Sequence, residues 1–154
     1  MARYVSDRLP VPRHANGVPF ARADLEFHGV RHRGPTFEGR VFLNVADAGM
    51  ATPKEPAAGY AGSIWIFGHD HCWGDAGHCV TPPGPLHGYD ARPPHPLLPQ
   101  THVLRVTSAV RALLDAGERE FTVTVVPVVR DSEGTAREDD GVLRFERLSL
   151  VTYD

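Results

Sequence analysis

The sequence predicts an all-β protein, an antiparallel β-sandwich of Greek-key or jelly-roll type with one short helix and a long Pro/Gly/His-rich loop. Three observations carry this expectation. Apolar residues recur at period two in several short stretches, and those stretches are rich in Val, Ile, Phe and Thr, which suit a pleated, half-buried surface. In addition, 15 Gly and 14 Pro among 154 residues interrupt the chain too often for long helices. The length and a 42% hydrophobic content suffice for one core without disulfide or metal staples. With no repeat, linker or shift in composition, residues 1–154 read as a single domain.

Residues 1–22 read as an irregular N-terminal arm. In 23–30, Leu25, Phe27 and Val30 interleave with Asp24, Glu26 and His28, the period of a half-buried strand. Residues 38–45 repeat the theme through Val41, Phe42, Leu43 and Val45, and the Gly34-Pro35 turn joins the two. A loop over 47–59 leads to 63–67 (Ser63-Ile64-Trp65-Ile66-Phe67), whose composition is that of a buried strand. Residues 68–99 then hold seven Pro, five Gly, five His and both Cys without any periodicity, which predicts a long loop of functional interest. Alternation returns in 101–106. Thr107 or Ser108 is expected to cap a short helix that runs through Leu114 and stops at Gly117. Strands are expected over 121–129 and 142–151, on either side of a charged hairpin loop at 131–141.

Charge and hydropathy exclude two partner classes. A formal net charge of −3 with no basic block argues against a nucleic-acid-binding surface. Apolar runs such as Ile64-Trp65-Ile66-Phe67 fall far short of the roughly 20 residues that span a bilayer. The opening Met1-Ala2-Arg3-Tyr4-Val5-Ser6-Asp7-Arg8 lacks the apolar stretch of a secretory signal, so a cytoplasmic location is expected. A homo-oligomer remains open.

The chemistry is concentrated in 68–79, where His69, His71 and His78, Cys72 and Cys79, and Asp70 and Asp75 fall within twelve residues. Thiolate with imidazole suits Cu(I) or Zn(II), and neutral imidazole suits Cu, Zn or Fe. The spacing matches no established zinc motif, and at most three or four of these groups fit around one ion. His87, His95 and His102 lie downstream as sources of a further ligand. The candidate metal ligands are therefore His69, His71, Cys72, His78, Cys79, His87 and His95, with copper the expected metal and zinc or iron as alternatives. The competing reading is a loop-closing Cys72–Cys79 disulfide with the histidines as polar loop residues, although a cytoplasmic location disfavours it. Asp70 and Asp75 read as turn formers before they read as groups that orient imidazoles. Trp65 and Trp73 read as packing anchors for the loop. The proline-stiffened run from Gly84 to Pro96 is read as pinned by Asp90 and Arg92, or as an edge that presents Tyr89 and His95 to a partner.

A family resemblance is visible at this point. Phe37-Glu38-Gly39-Arg40-Val41-Phe42-Leu43-Asn44 resembles the strand, of the type Lys-Phe-Asp-Val-Phe-Val-Asn, that names the C-terminal domain of plant polyphenol oxidases. Leu25-Glu26-Phe27-His28-Gly29-Val30 resembles the strand before it. Thr107-Ser108-Ala109-Val110-Arg111-Ala112-Leu113-Leu114, followed by Phe121-Thr122-Val123-Thr124-Val125-Val126-Pro127, is similar to that family's helical turn and next strand. Gly59-Tyr60-Ala61-Gly62-Ser63, Phe67-Gly68-His69 and Gly77-His78-Cys79 are similar to the His/Cys-bearing version attached to bacterial tyrosinase-like proteins. The blocks extend in order from about Asp24 to Val129.

The resemblance implies a sandwich that, in its relatives, covers the entrance of a di-copper domain and bears on latency or copper loading. That domain's two His triplets on helices are missing from this chain, so its oxidation chemistry does not carry over. What is implied is a stand-alone relative of the lid, not an enzyme on its own. It would act on a tyrosinase-like di-copper partner, or bind copper through His69, His71, Cys72, His78 and Cys79 as a metallochaperone does. Two other classes stay open. In a cupin-like mononuclear metalloenzyme His69, His71, Asp75 and His87 would hold Fe, Mn or Cu, and in a metal-free interaction domain the Cys72–Cys79 disulfide would close the loop. No nucleophile elbow supports hydrolase chemistry.

Overall fold

The computed structural model describes residues 3–12, 20–69 and 97–154. In chain order its elements are β1 (Tyr4–Val5), β2 (Leu9–Pro10), β3 (Arg22–Val30), β4 (Phe37–Leu43), a 3-10 turn (Pro56–Ala58), β5 (Tyr60–Ile66), β6 (Gln100–Arg105), α1 (Thr107–Asp115), β7 (Glu120–Phe121), β8 (Val123–Arg130), β9 (Ala136–Glu138) and β10 (Arg147–Tyr153). All pairings are antiparallel. One sheet has the order β1-β8-β4-β5 with β9 also on β8, a second has the order β10-β3-β6, and β2 pairs with β7.

The alternation read from the sequence builds the space between the two larger sheets. Leu25 and Phe27 of β3 are fully buried, Leu25 opposite Leu150 and Leu104, and they share one core with Phe37 and Val41 of β4, Ile64 and Ile66 of β5, and Val123 and Val125 of β8. Burying side chains of this size removes about 1.5–3 kcal/mol of apolar exposure apiece. The opposite face of β4 and β8 is covered as well. There Phe42, Val126 and Val128 form a second cluster with Ala48 from the loop after β4. Both central strands are therefore buried on both faces, and Glu38 and Arg40 of β4 are enclosed as a consequence. Pro127, which lacks an N–H, falls in the interval of β8 between the stretches paired with β1 and β9, where the missing donor disturbs no outer ladder.

Helix α1 ends as its sequence indicates. Gly117 adopts φ 78°, its N–H donates to the Leu114 carbonyl, and the Glu118 N–H donates to the Leu113 carbonyl at 3.0 Å, a Schellman closure. Its start differs from expectation. Val106 is the N-cap and no side chain caps it, because the Thr107 hydroxyl instead accepts the Ala23 N–H at 3.0 Å and ties the helix to β3.

Other differences have similar causes. The arm expected to be irregular supplies β1 and β2, two-residue strands held by pairing to β8 and β7 and too short to show a period. The loop expected at 131–141 contains β9, and the final strand begins at Arg147, not at 142, because Val142, Leu143 and Phe145 pack against the core without joining a ladder. Strand β5 is half-buried rather than fully buried. It lies at the sheet edge, so Ile64 and Ile66 face the core while Trp65 is 60% and Phe67 is 75% exposed; most of the loop that Trp65 is expected to anchor lies outside the described residues. No described helix is long and apolar enough to cross a membrane.

Candidate functional site

The site is built where β5 runs out. Past Ile66 the chain crosses the 34–36 turn, with the Gly68 N–H donating to Thr36 Oγ1 at 3.0 Å and the His69 N–H donating to the His32 carbonyl at 3.0 Å. These bonds extend the pairing of the β3–β4 connection beyond the strands and bring two histidines together.

His32 lies two residues beyond β3, and the inward-outward alternation continues through it. Val30 is buried, Arg31 is exposed, and His32 is only 8% exposed. Its Nε2 lies 2.9 Å from the Leu98 carbonyl, which only accepts, so Nε2 carries the hydrogen. In the neutral ring Nδ1 then holds a lone pair, and it points at Nδ1 of His69 at 3.2 Å. Without an ion, the His69 Nδ1–H donates across that gap. The rings meet edge to face with centroids 4.9 Å apart, and Phe67 packs edge-on against His69 at 5.5 Å.

The separation of the two ring nitrogens is compatible with a hydrogen bond and also with two ligands of one ion. Two imidazole nitrogens at about 2.0–2.1 Å from one tetrahedral ion lie about 3.3 Å apart, close to the 3.2 Å observed. The carbonyl of Leu98 fixes the tautomer of His32 from behind, as the partners of metal-ligating histidines do. Among the described residues no three His, Cys, Asp or Glu side chains gather around one position.

His102 on β6 belongs to the same neighbourhood. Burial pushes its imidazole below the ordinary value, and the charge of a protonated His32 adds to the effect. Since the unfolded ring takes up a proton more readily, the folded state loses stability as pH falls through the ordinary histidine value of 6.5 toward the depressed one. The urea midpoint is expected to drop between pH 7 and pH 5, and a His102→Gln variant to show a smaller drop. An equal drop in both proteins would show that His102 does not contribute.

Of the seven ligands read from the sequence, His69 is placed, and it faces His32. His71, Cys72, His78, Cys79, His87 and His95 lie outside the described residues, as do the Cys72–Cys79 disulfide, Asp70, Asp75, Trp73, Tyr89, Asp90 and Arg92. His32 was missed by the sequence reading, although the continued alternation past Val30 was a usable signal. No family model matches the chain, and no curated protein is significantly similar to it. Among solved structures, the chain is similar to a recombinantly expressed latent aurone synthase, a polyphenol oxidase, at 19% identity and a TM-score of 0.49. It is similar also to the latent aurone synthase from natural source, at 18% identity and a TM-score of 0.48. Each likeness covers 99% of this chain and 25% of the other, so the chain spans about a quarter of the polyphenol oxidases it resembles.

Proposed function

We propose that this protein is a copper-handling accessory domain, related to the C-terminal lid of tyrosinase-type oxidases and acting on a di-copper partner. The observation that carries the reading is the His32–His69 pair, two Nδ1 atoms 3.2 Å apart at the point where the chain enters its His/Cys-rich segment. On this reading His32 and His69 hold Cu(I) together with thiolates from Cys72 or Cys79. Copper is cargo here, and soft ligands on a loop release it stepwise to an acceptor.

Competition against a chromophoric Cu(I) chelator under anaerobic, reducing conditions tests this. One Cu(I) per chain is expected, with affinity falling about tenfold or more in His32→Ala, in His69→Ala and in Cys72→Ser. Full affinity in both histidine variants would overturn the role of the pair, and no Cu(I) retention by the intact protein would overturn copper handling altogether. A second reading, a metal-free interaction domain, is favoured by the exposed Trp65 and Phe67 on the β5 edge. It predicts chelator-insensitive partner binding that is lost in Trp65→Ala and a Cys72–Cys79 disulfide in the purified protein.

A further inference from the structure

A cleft of about 510 Å3 is lined by Arg31, Arg33 and Arg144, with His32 also in its wall, and is flanked by Pro35, Leu97 and Val142. Two chain segments distant in sequence supply the arginines. They are held in place by a main-chain bond from the Arg31 N–H to the Arg144 carbonyl at 2.9 Å, while Arg144 Nε donates to the Gly141 carbonyl at 3.3 Å across the same wall.

Among the described residues no carboxylate lines the cleft, and none of the three guanidiniums forms an ion pair with a described residue. Some exposed arginines elsewhere are matched, Arg22 with Asp24, Arg137 with Asp139 and Arg8 with Glu120, while others such as Arg119, Arg130 and Arg147 stand apart from one another; what sets Arg31, Arg33 and Arg144 apart is that all three line one cleft. Three unmatched cations around one concavity, in a chain of net charge −3, make a local field of the opposite sign to the whole. The like charges repel one another, and an anion relieves that repulsion. The guanidinium fork matches the paired oxygens of a carboxylate or phosphate. The volume lies within the range of small-molecule sites, and the Pro35, Leu97 and Val142 flank offers an apolar surface that a bare inorganic ion would not use.

We propose that this cleft binds a small organic anion, an apolar body that carries a carboxylate or phosphate group held by Arg31, Arg33 and Arg144. The assignment is independent of copper and is tested on chelator-treated, desalted protein.

Titration calorimetry at low ionic strength, with phenyl phosphate and benzoate as probes and benzyl alcohol as the neutral control, gives the readout. One saturable site is expected for at least one of the two anions, and the tighter of them names the group preferred. Benzyl alcohol is expected not to bind. Added salt should weaken the interaction, and Arg33→Gln and Arg144→Gln should each weaken it about tenfold or more. Arg130→Gln, on an exposed arginine that does not line the cleft, should leave it unchanged. Circular dichroism melts on the same samples separate loss of binding from loss of fold. The proposal is overturned if neither anion saturates a site, if benzyl alcohol binds as well as the anions, or if folded Arg33→Gln and Arg144→Gln proteins retain full affinity.

Discussion

Glu38→Ala is expected to destabilise the protein by about 3–5 kcal/mol, the range for removing one partner of a buried ion pair. Glu38 is 3% exposed on the covered outer face of β4, and its carboxylate accepts from Arg40 Nε at 3.0 Å, Lys54 Nζ at 2.6 Å and Ser63 Oγ at 2.7 Å. Arg40 is itself 9% exposed, and without Glu38 its guanidinium keeps only the Met50 carbonyl, at 2.8 Å. The cost is that of an uncompensated buried cation more than that of lost hydrogen bonds. Glu38→Gln, which keeps the shape and one acceptor oxygen but not the charge, should fall between wild type and Glu38→Ala.

The pH dependence follows from the same contacts. Burial raises the Glu38 carboxyl, but hydrogen bonds from Lys54, Ser63 and Arg40 and the charge of Arg40 outweigh it and hold it below the ordinary value of 4.5. Its contribution is thus fully present above pH 4.5 and lost as pH falls through the lower folded value. Urea midpoints from pH 7 to pH 3 should show a loss in wild type below pH 4.5 that is reduced in Glu38→Ala. A variant within about 1 kcal/mol of wild type at pH 7 would show that the network adds nothing net.

The sandwich was legible because its long strands obey simple rules. Leu25 and Phe27 alternate with polar neighbours along β3, and the valines of β8 announce a strand whichever face they take. The outer cluster was not legible. Nothing in the alternation of β4 marks Glu38 and Arg40 for burial, and it is the return of the loop through Ala48, Met50 and Lys54 that covers them. Strands of two residues such as β1 and β2 have no period, so their existence depends on the partners that pair with them. Within the site, local composition drew attention to the His/Cys segment and to His69. The partner of His69 lies 37 positions earlier, in a turn of unremarkable sequence, and no spacing rule connects residues brought together by a strand crossing. The exposure of Trp65 has the same origin, since edge and centre of a sheet are decided by strand order and not by a strand's own residues.

Gly68→Ala is the substitution expected to couple stability to the site most strongly. A Cβ at Gly68 would be driven into the Gly34 carbonyl oxygen, the Pro35 carbonyl carbon and the Thr36 nitrogen. All three are main-chain atoms, which cannot rotate aside as a flexible side chain would, so either the 34–36 turn or the exit from β5 must move. Overpacking of this kind costs on the order of 1–3 kcal/mol, and the upper end is expected here because the Gly68–Thr36 and His69–His32 bonds are strained together. Displacing that strip also separates the His32 and His69 rings, so Cu(I) affinity should fall together with the urea midpoint. Gly34→Ala is the matched control. A Cβ there meets nothing within 4 Å, so it should stay within about 0.5 kcal/mol of wild type and leave Cu(I) binding unchanged. Equal stability of the two variants would show that the crossing at Gly68 is looser than its geometry implies. A destabilised Gly68→Ala protein that still binds Cu(I) at full strength would detach the metal site from the His32–His69 pair.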